Sequence, residues 1–505
     1  MPPLLHGLLA LSTLPLAFVL WTLYCLGRNH AKARSIGLPI TVRFITPGGP
    51  LWMIFSPLIV RIATYLPFTA SFIKKYRRGW ECRERYRTHE EHGELFTICT
   101  PGGNYVKIGN FEVADDILRR KDDFGRDLEA FAVLNIYGKN LATTEGKEWM
   151  RHRKVAAVTF TEKNAELVWG EALKEASQML VYWVERAKKP IRTLAQDTQI
   201  FSLNVLAAAL FDRSYPFEGR EERVSIAQGK ASSANLVTNL VRACEDESSG
   251  SLNTETSAGG KAILTKDEII SDLFVFAFAG NDTTALTLAY VLAELAAHPK
   301  IQDWISEEIR HHTATEDVTK WDYTTCMKLK RCWAVMYETL RLSHPINQLV
   351  KNTGAEPRSI THKGTTYLVP AHTTVEINLP SLSTMPSHWG SESLEWNPKR
   401  FVTSGQGASD GFEEEAIPPD TTSTLFPWAY SRLVCPGKRF SQAELVGALA
   451  ALFRDHRVEP VPEVGESMQE ACRRVKTMSE DIEQRLLSEM REPENIALRW
   501  FRAQI

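Results

Sequence analysis

Along most of this 505-residue chain, hydrophobic residues recur three and four positions apart, the spacing of one helix face, and only short pieces alternate as strands do. From residue 80 onward the pattern predicts a mainly α domain with small β-sheets, its strand-like runs being YVKIGN at Tyr105 and TTYLVP at Thr365. Two stretches break the periodicity. EDESSGSLNTETSAGG from Glu245 and TSGQGASDGFEEEAIPPDTTST from Thr403 are rich in Ser, Thr and Gly, and both read as surface loops. No repeat period is present.

The start of the chain follows a different rule. Leu4 to Leu26 carry no Lys, Arg, Asp or Glu, and 23 helical residues reach about 35 Å, the thickness of a hydrocarbon core. The reading is a transmembrane helix within residues 1–27, ahead of a cleaved signal because no basic segment precedes it. No acidic residue occurs before Glu81, while Arg28, Lys32, Arg34, Arg43 and Arg61 are basic, so residues 28–79 read as a basic membrane-proximal linker and the remainder is expected in the cytosol. LWMIFSPLIVRIATYLPF from Leu51 is apolar but broken by Pro57, Arg61 and Pro67. An arginine at mid-bilayer costs about 3 kcal/mol, which favours an interfacial or core-packed segment over a second span.

Composition adds exclusions. Fifty-nine basic and 61 acidic residues give a net charge of -2, which offers no general attraction for nucleic acid. The eight cysteines include no C-x-x-C pair, as befits reduced thiols in a cytosolic domain.

Three constellations carry chemistry. In IISDLFVFAFAGNDTTALTLAYVLAELAAHP, a helix predicted over Glu268 to His298 spans about 46 Å and is apolar on every face, so it belongs in the interior. Asn281, Asp282, Thr283 and Thr284 interrupt its centre after Ala279 and Gly280. Either Asn281 caps a second helix after a glycine break, or the polar residues mark a functional opening where a Thr hydroxyl bonds one turn back and an acid beside an alcohol moves protons. In LKRCWAVMYETLRLSHP, Glu338 and Arg341 share a helix face, and taken alone they make an ordinary ion pair worth a few tenths of a kcal/mol. In RLVCPGKRF, Cys435 precedes Pro436, Gly437 and a periodic helical run. Its sulfur is either an inert buried thiol or a thiolate held at a helix mouth by backbone N–H groups, with Gly437 leaving room for a flat ligand.

In order along the chain, these motifs resemble the cytochrome P450 family of haem-thiolate monooxygenases. Ala279-Gly280-Asn281-Asp282-Thr283-Thr284 is similar to the family's oxygen-binding groove, Glu338-x-x-Arg341 to its helical ion pair, and Trp396-x-Pro398-x-Arg400-Phe401 to the segment supplying a second arginine. Gly146-x-x-Trp149-x-x-x-Arg153 looks like the helix that holds a haem propionate, and Cys435-Pro436-Gly437 like the axial-ligand loop. The resemblance covers residues 80–505, and the N-terminal segment with WMRHRKVAAVTFTEKN looks most like endoplasmic-reticulum enzymes of filamentous fungi.

The resemblance implies a haem b on the Cys435 thiolate, Asp282 and Thr283 as proton relay, and Trp149 and Arg153 as propionate partners. Ala279, Gly280 and Gly437 would line the haem, while Glu338, Arg341 and Arg400 would form a structural network. It implies electrons from NADPH through a cytochrome P450 reductase in the same membrane, received at Lys438, Arg439, Arg151 and Lys154. The substrate would be a lipophilic small molecule, plausibly of secondary metabolism, touching Phe131, Val133, Leu134 and Ile346 to Leu349. Two departures stand out. The ligand loop has Trp428, Ser431 and Leu433 where the family usually has Phe, Gly and Arg, so that propionate partner is lost unless the neighbouring Arg432 turns inward to replace it. Trp149 and Thr283 are only 134 positions apart, so the substrate roof is shortened at about 213–235. Two other readings stay open: an isomerase or dehydratase of the same fold, and a haem-binding membrane protein impaired by the short roof.

Overall fold

The computed structural model describes residues 2–185, 189–219, 264–313, 317–403, 411–419, 421, 425–429 and 434–503. Most of residues 213–235, the stretch from Glu245, much of the stretch from Thr403, and Ser431, Arg432 and Leu433 lie outside them. The chain divides into two compact units.

The first unit, residues 1–127, 346–393 and 483–486, is built on a six-stranded mixed sheet. Its strands are β1 (Ile40–Val42), β2 (Leu95–Thr100), β3 (Gly103–Ile108), β4 (Gly125–Arg126), β5 (Gln348–Asn352) and, after the hairpin of β6 (Arg358–His362) and β7 (Thr365–Val369), β8 (Thr374–Asn378). The order is β1-β2-β3-β8-β5-β4, with β1 parallel to β2 and β3 parallel to β8. Every residue of β2 is buried, as an apolar run packed on both faces requires. The β2–β3 turn needs Gly102, because a Cβ there would stand 2.6 Å from Thr46 Cγ2. Lys107 on β3 lies across from Glu376 on β8 and is buried between that carboxylate at 2.6 Å and Glu81 at 2.9 Å.

The first helix, Pro2–Ile36, is 35 residues long, about 52 Å. Leu16, Phe18, Val19, Leu20, Trp21, Leu23 and Tyr24 are exposed, whereas Cys25, Leu26, Asn29, Ala33 and Ile36 are buried. That buried end is fastened to the sheet: Asn29 Nδ2 donates to the carbonyls of Thr100 at 2.9 Å and Pro101 at 3.0 Å, and Asn104 Nδ2 donates to Asn29 O at 2.9 Å. Residues 28–79 also carry β1 and the helices Pro50–Ala63 and Ala70–Tyr76. The Pro50–Ala63 helix buries Trp52, Ser56 and Ala63 and exposes Leu51, Ile54, Phe55, Leu58 and Ile62.

The second unit is mainly helical and carries a two-stranded antiparallel sheet of His456–Pro460 and Leu498–Arg502. Its axis is the helix Lys266–Ala297, buried continuously from Thr284 to Ala296. Among the described residues this is the helix long and apolar enough to cross a membrane, and more than half of its apolar window is covered by protein, as in a core helix. It begins two residues before the expected Glu268 and runs unbroken through Gly280, so Asn281 caps no second helix. The start is set by a capping box: Thr265 Oγ1 accepts from Glu268 N at 3.3 Å, and Glu268 Oε2 accepts from Thr265 N at 2.8 Å. The helix Leu194–Phe211 packs along it, and the helix Lys438–Phe453 packs along Glu162–Glu185. That second crossing is close because Gly447 has no side chain; a Cβ would stand 3.2 Å from Ala172 Cβ.

Candidate haem-thiolate site

Cys435 is the exposed cysteine among the described residues; Cys25, Cys82, Cys99, Cys326 and Cys332 are buried, and Cys472 is half-buried. Helix Lys438–Phe453 starts three residues after it, with Gly437 as N-cap, so Pro436 lies just ahead of the helix rather than at its first position. Cys435 N donates to Trp428 O at 3.0 Å, and its own carbonyl accepts from Lys438 N at 3.3 Å. Trp428 is fixed in turn by its indole N–H, which donates to Ser441 Oγ at 2.9 Å. Although the sulfur is accessible, the protein around it raises the thiol's pKa by desolvation. The N–H of Gly437 and the Arg153 guanidinium work in the opposite direction, toward thiolate. Gly437 has φ -79°, open to any residue, and a Cβ there would meet only Cys435 Sγ and Phe160, both at 3.9 Å. Its missing side chain keeps open the space beside the sulfur.

Arg153 lies on the helix Gly146–Thr159, one turn after Trp149, and both are half-buried. Desolvation lowers the Arg153 pKa, with Cys435 acting against that, and among the described residues Arg153 has no carboxylate partner. A half-buried guanidinium left in that state suits an anionic ligand. Its neighbours are committed elsewhere. Arg151 NH2 holds Glu268 at 2.7 and 3.0 Å, so its charge is already paired while its side chain stays 33% exposed. His152, wholly buried, sits 2.7 Å from Asp272 Oδ2, while Asp272 Oδ1 accepts from Leu141 N at 2.7 Å. These contacts fasten the Gly146–Thr159 helix to the first half of the central helix, and the sequence reading missed them. Phe160 adds an apolar link, its ring centroid 5.3 Å from Phe276 on the central helix and 6.3 Å from Phe440 on the cysteine's helix.

Where the central helix is polar, it has an open face. Ala279 is exposed and Gly280, Asn281, Asp282 and Thr283 are half-buried, in contrast to the buried run that follows. Thr283 Oγ1 donates to Ala279 O at 2.8 Å, the back-bond one turn earlier that the composition of this stretch allows. Asn281 Nδ2 donates to Asp282 Oδ1 at 3.1 Å, and Asn281 O accepts from Ser202 Oγ at 3.2 Å. Asn281 Oδ1 is buried without a hydrogen-bond partner among the described residues. Desolvation raises the Asp282 pKa, outweighing the bond from Asn281, so the carboxyl takes up a proton more readily than a solvated aspartate.

Glu338 and Arg341 are far from an ordinary surface pair. Both side chains are fully buried; Arg341 Nε and NH2 donate to Glu338 at 2.7 and 2.9 Å. Glu338 Oε1 also accepts from Asn397 N at 2.7 Å and Arg400 Nε at 3.2 Å. Both arginines donate to Glu395 O, and Trp396 Nε1 reaches Thr339 Oγ1 at 3.1 Å. The network therefore pins residues 395–400 to the helix Lys330–Leu342.

The residues present fit a haem: an exposed cysteine with a backbone N–H and the Arg153 guanidinium favouring its thiolate against desolvation, that guanidinium without a carboxylate partner among the described residues, and an uncrowded helix face with an acid and an alcohol. The cytochrome P450 family model matches residues 66–245 and 244–478. The chain belongs to the cytochrome P450 family. It is 24% identical to a cytochrome P450 monooxygenase of Arthrobotrys oligospora over 90% of this chain and 91% of that one. It is also 24% identical to the phomenoic acid biosynthesis cluster cytochrome P450 monooxygenase of Leptosphaeria maculans, over 91% and 93% of the two chains. The crystal structure of the cytochrome P450 CYP102L1 shares its fold, with TM-score 0.60 and 17% identity over 83% of this chain and 97% of that one. It is thus a fungal-type P450 and an oxidoreductase of the monooxygenase class.

Within this P450, the expected site residues Cys435, Gly437, Trp149, Arg153, Ala279, Gly280, Asp282, Thr283, Glu338, Arg341 and Arg400 all lie in the second unit. Of the expected substrate contacts, Phe131 and Leu134 are half-buried and Val133 exposed in that unit, whereas Ile346 to Leu349 belong to the first.

Proposed function

We propose that this P450 oxygenates a lipophilic small molecule of fungal secondary metabolism at the endoplasmic-reticulum membrane, with electrons from NADPH supplied through a reductase. The observation that carries this reading is the exposed Cys435 at a helix mouth with Arg153, which has no carboxylate partner among the described residues, as its cation. Haem bound there supplies dioxygen activation at a thiolate-ligated iron.

The chain's own groups do the rest. Cys435 donates its sulfur from a loop braced by Trp428 and Ser441. Arg153 and Trp149, with Arg432, would hold the haem propionates, and Gly437, Ala279 and Gly280 would leave the flat ligand its space. Asp282, desolvated and bonded by Asn281, accepts and releases a proton at its carboxyl; the Thr283 hydroxyl, resting on Ala279 O, passes it on when it rotates. Glu338, Arg341 and Arg400 keep the segment before the ligand loop in place.

Residues 1–27 form the membrane anchor, residues 28–79 the basic membrane-proximal segment and residues 80–505 the haem domain facing the cytosol. The exposed apolar side chains of the first helix support the anchor. Lys154 and Arg439, both exposed, are the foremost reductase contacts, with Lys438 half-buried over the Trp428 ring at 5.8 Å. The name of the phomenoic acid cluster relative supports a secondary-metabolite role. An isomerase or dehydratase would need no proton relay, and Asp282 with Thr283 argues for oxygenation.

The test is the visible spectrum of the reduced, carbon-monoxide-bound protein, followed by NADPH consumption with reductase. A red-shifted Soret band that Cys435→Ala removes is expected; a band that survives the substitution refutes the assignment.

A further inference from the structure

The helix Pro299–His312 ends on two adjacent histidines, and the short helix Phe412–Glu414 sets Glu413 opposite them. One ligand atom each from His311, His312 and Glu413 lies within 4.8 Å of the other two. All three belong to the second unit, and the haem site uses none of them.

The His312 side chain is only 5% exposed. Its Nδ1 is 3.9 Å from Glu413 Oε1, too far for a hydrogen bond, and its Nε2 is buried without a partner among the described residues. A cation bound at Nδ1, the nitrogen that faces Glu413, would give this buried ring a partner on that side, where none is found among the described residues.

Glu413 is held in place from both sides. Phe412 stacks on His311 at 4.7 Å and lies under the Arg331 guanidinium at 4.5 Å. Glu415 takes a forked pair from Arg331, with contacts of 2.7 and 2.9 Å, and Ala416 pairs with Thr403 through backbone bonds of 3.0 Å each way. The carboxylate is thus presented by a braced segment, while its own side chain is 74% exposed and free to turn.

We propose that His311, His312 and Glu413 bind a zinc ion, with water as the fourth ligand. Two imidazoles and a carboxylate suit zinc, whereas calcium and magnesium favour sites made wholly of oxygen. Zinc ligands at about 2.0–2.1 Å in a tetrahedron stand about 3.4 Å apart, so the three must close by roughly 1 Å. Rotation of the Glu413 side chain, 74% exposed, supplies most of that movement, with small shifts of the two imidazoles.

The experiment titrates zinc chloride into holoenzyme previously stripped with a chelator and dialysed, and reads binding by calorimetry. One zinc per chain is expected, with His311→Ala and Glu413→Gln each weakening it at least tenfold. Both positions are exposed enough for the fold to tolerate the change, and an unaltered haem spectrum checks this. The chain holds 13 histidines, so background binding is measured on the double variant. Absence of saturable binding, or equal binding by wild type and double variant, overturns the proposal.

Discussion

Replacing Glu338 by Gln keeps the side chain's size and removes its charge, which leaves the Arg341 guanidinium buried opposite a neutral amide. In the native protein Glu338 accepts from Arg341 twice, from Asn397 N and from Arg400, with no solvent to share the load. An amide has one carbonyl oxygen where the carboxylate has two acceptors, so at least one of these bonds is lost as well as the charge. Breaking a fully buried pair from one side costs about 3 to 5 kcal/mol. Arg400→Gln is the internal comparison: that side chain is 17% exposed and reaches Glu338 by one bond of 3.2 Å, so its loss costs about 1 kcal/mol. Equilibrium urea unfolding followed by far-ultraviolet circular dichroism measures both, alongside the fraction of chain that retains the thiolate-type carbon monoxide spectrum. The order expected is wild type, then Arg400→Gln, then Glu338→Gln well below. If Glu338→Gln fell within about 1 kcal/mol of wild type, the buried network would not be holding the segment before the ligand loop.

Thr283→Ala removes the hydroxyl that rests on Ala279 O, and product formed per NADPH should fall at least about tenfold while haem content is unchanged, read by comparing product and NADPH in the reductase-coupled assay. Asp272→Asn weakens the bonds to His152 Nδ1 and Leu141 N and should cost about 1 to 3 kcal/mol by urea unfolding. Glu308 is buried and accepts from the N–H groups of Arg331 and Cys332, yet burial pushes its pKa up to about 8. The folded chain therefore holds this proton when the unfolded chain has lost it, so the contribution is lost as pH rises from about 4.5 to about 8. Glu308→Gln should flatten that part of the stability curve; an unchanged slope in thermal unfolding from pH 5 to 8 refutes the assignment. Arg439→Glu with Lys154→Glu should slow reductase-supported reduction by about tenfold at low salt, with the difference shrinking as salt is added, measured by stopped-flow spectroscopy.

Local chemistry made much of this visible in the residues alone. Glu268 to His298 reads as an interior helix, and the structure buries it from Thr284 to Ala296 while its first half keeps exposed positions such as Ile270 and Ala279; Cys435 before Pro436 and Gly437 reads as a helix mouth, and the helix starts at Lys438. The Thr265 capping box is equally legible, since a Thr with Glu three residues later marks a helix start at Lys266. What spacing does not carry is burial and partnership across long separations. Glu338 and Arg341 have the spacing of a surface pair, and only their enclosure turns a few tenths of a kcal/mol into several. Arg151 looked like a free cation because its partner, Glu268, is 117 residues away. His152 and Asp272, 120 apart, gave no local sign of each other.

Because the first helix is a single rod, its exposed apolar part and its docked end at Cys25, Leu26, Asn29 and Ala33 cannot be separated at will. A shortened form prepared for crystallisation should keep every residue from Cys25 onward. Trimming through Ile36 instead would take away Asn29, leaving the carbonyls of Thr100 and Pro101 and the amide of Asn104 to find water at the rim of the sheet. A detergent-free version begun too late would trade one solubility problem for another, since the end of β2 and the turn that follows it would lose the helix that covers them.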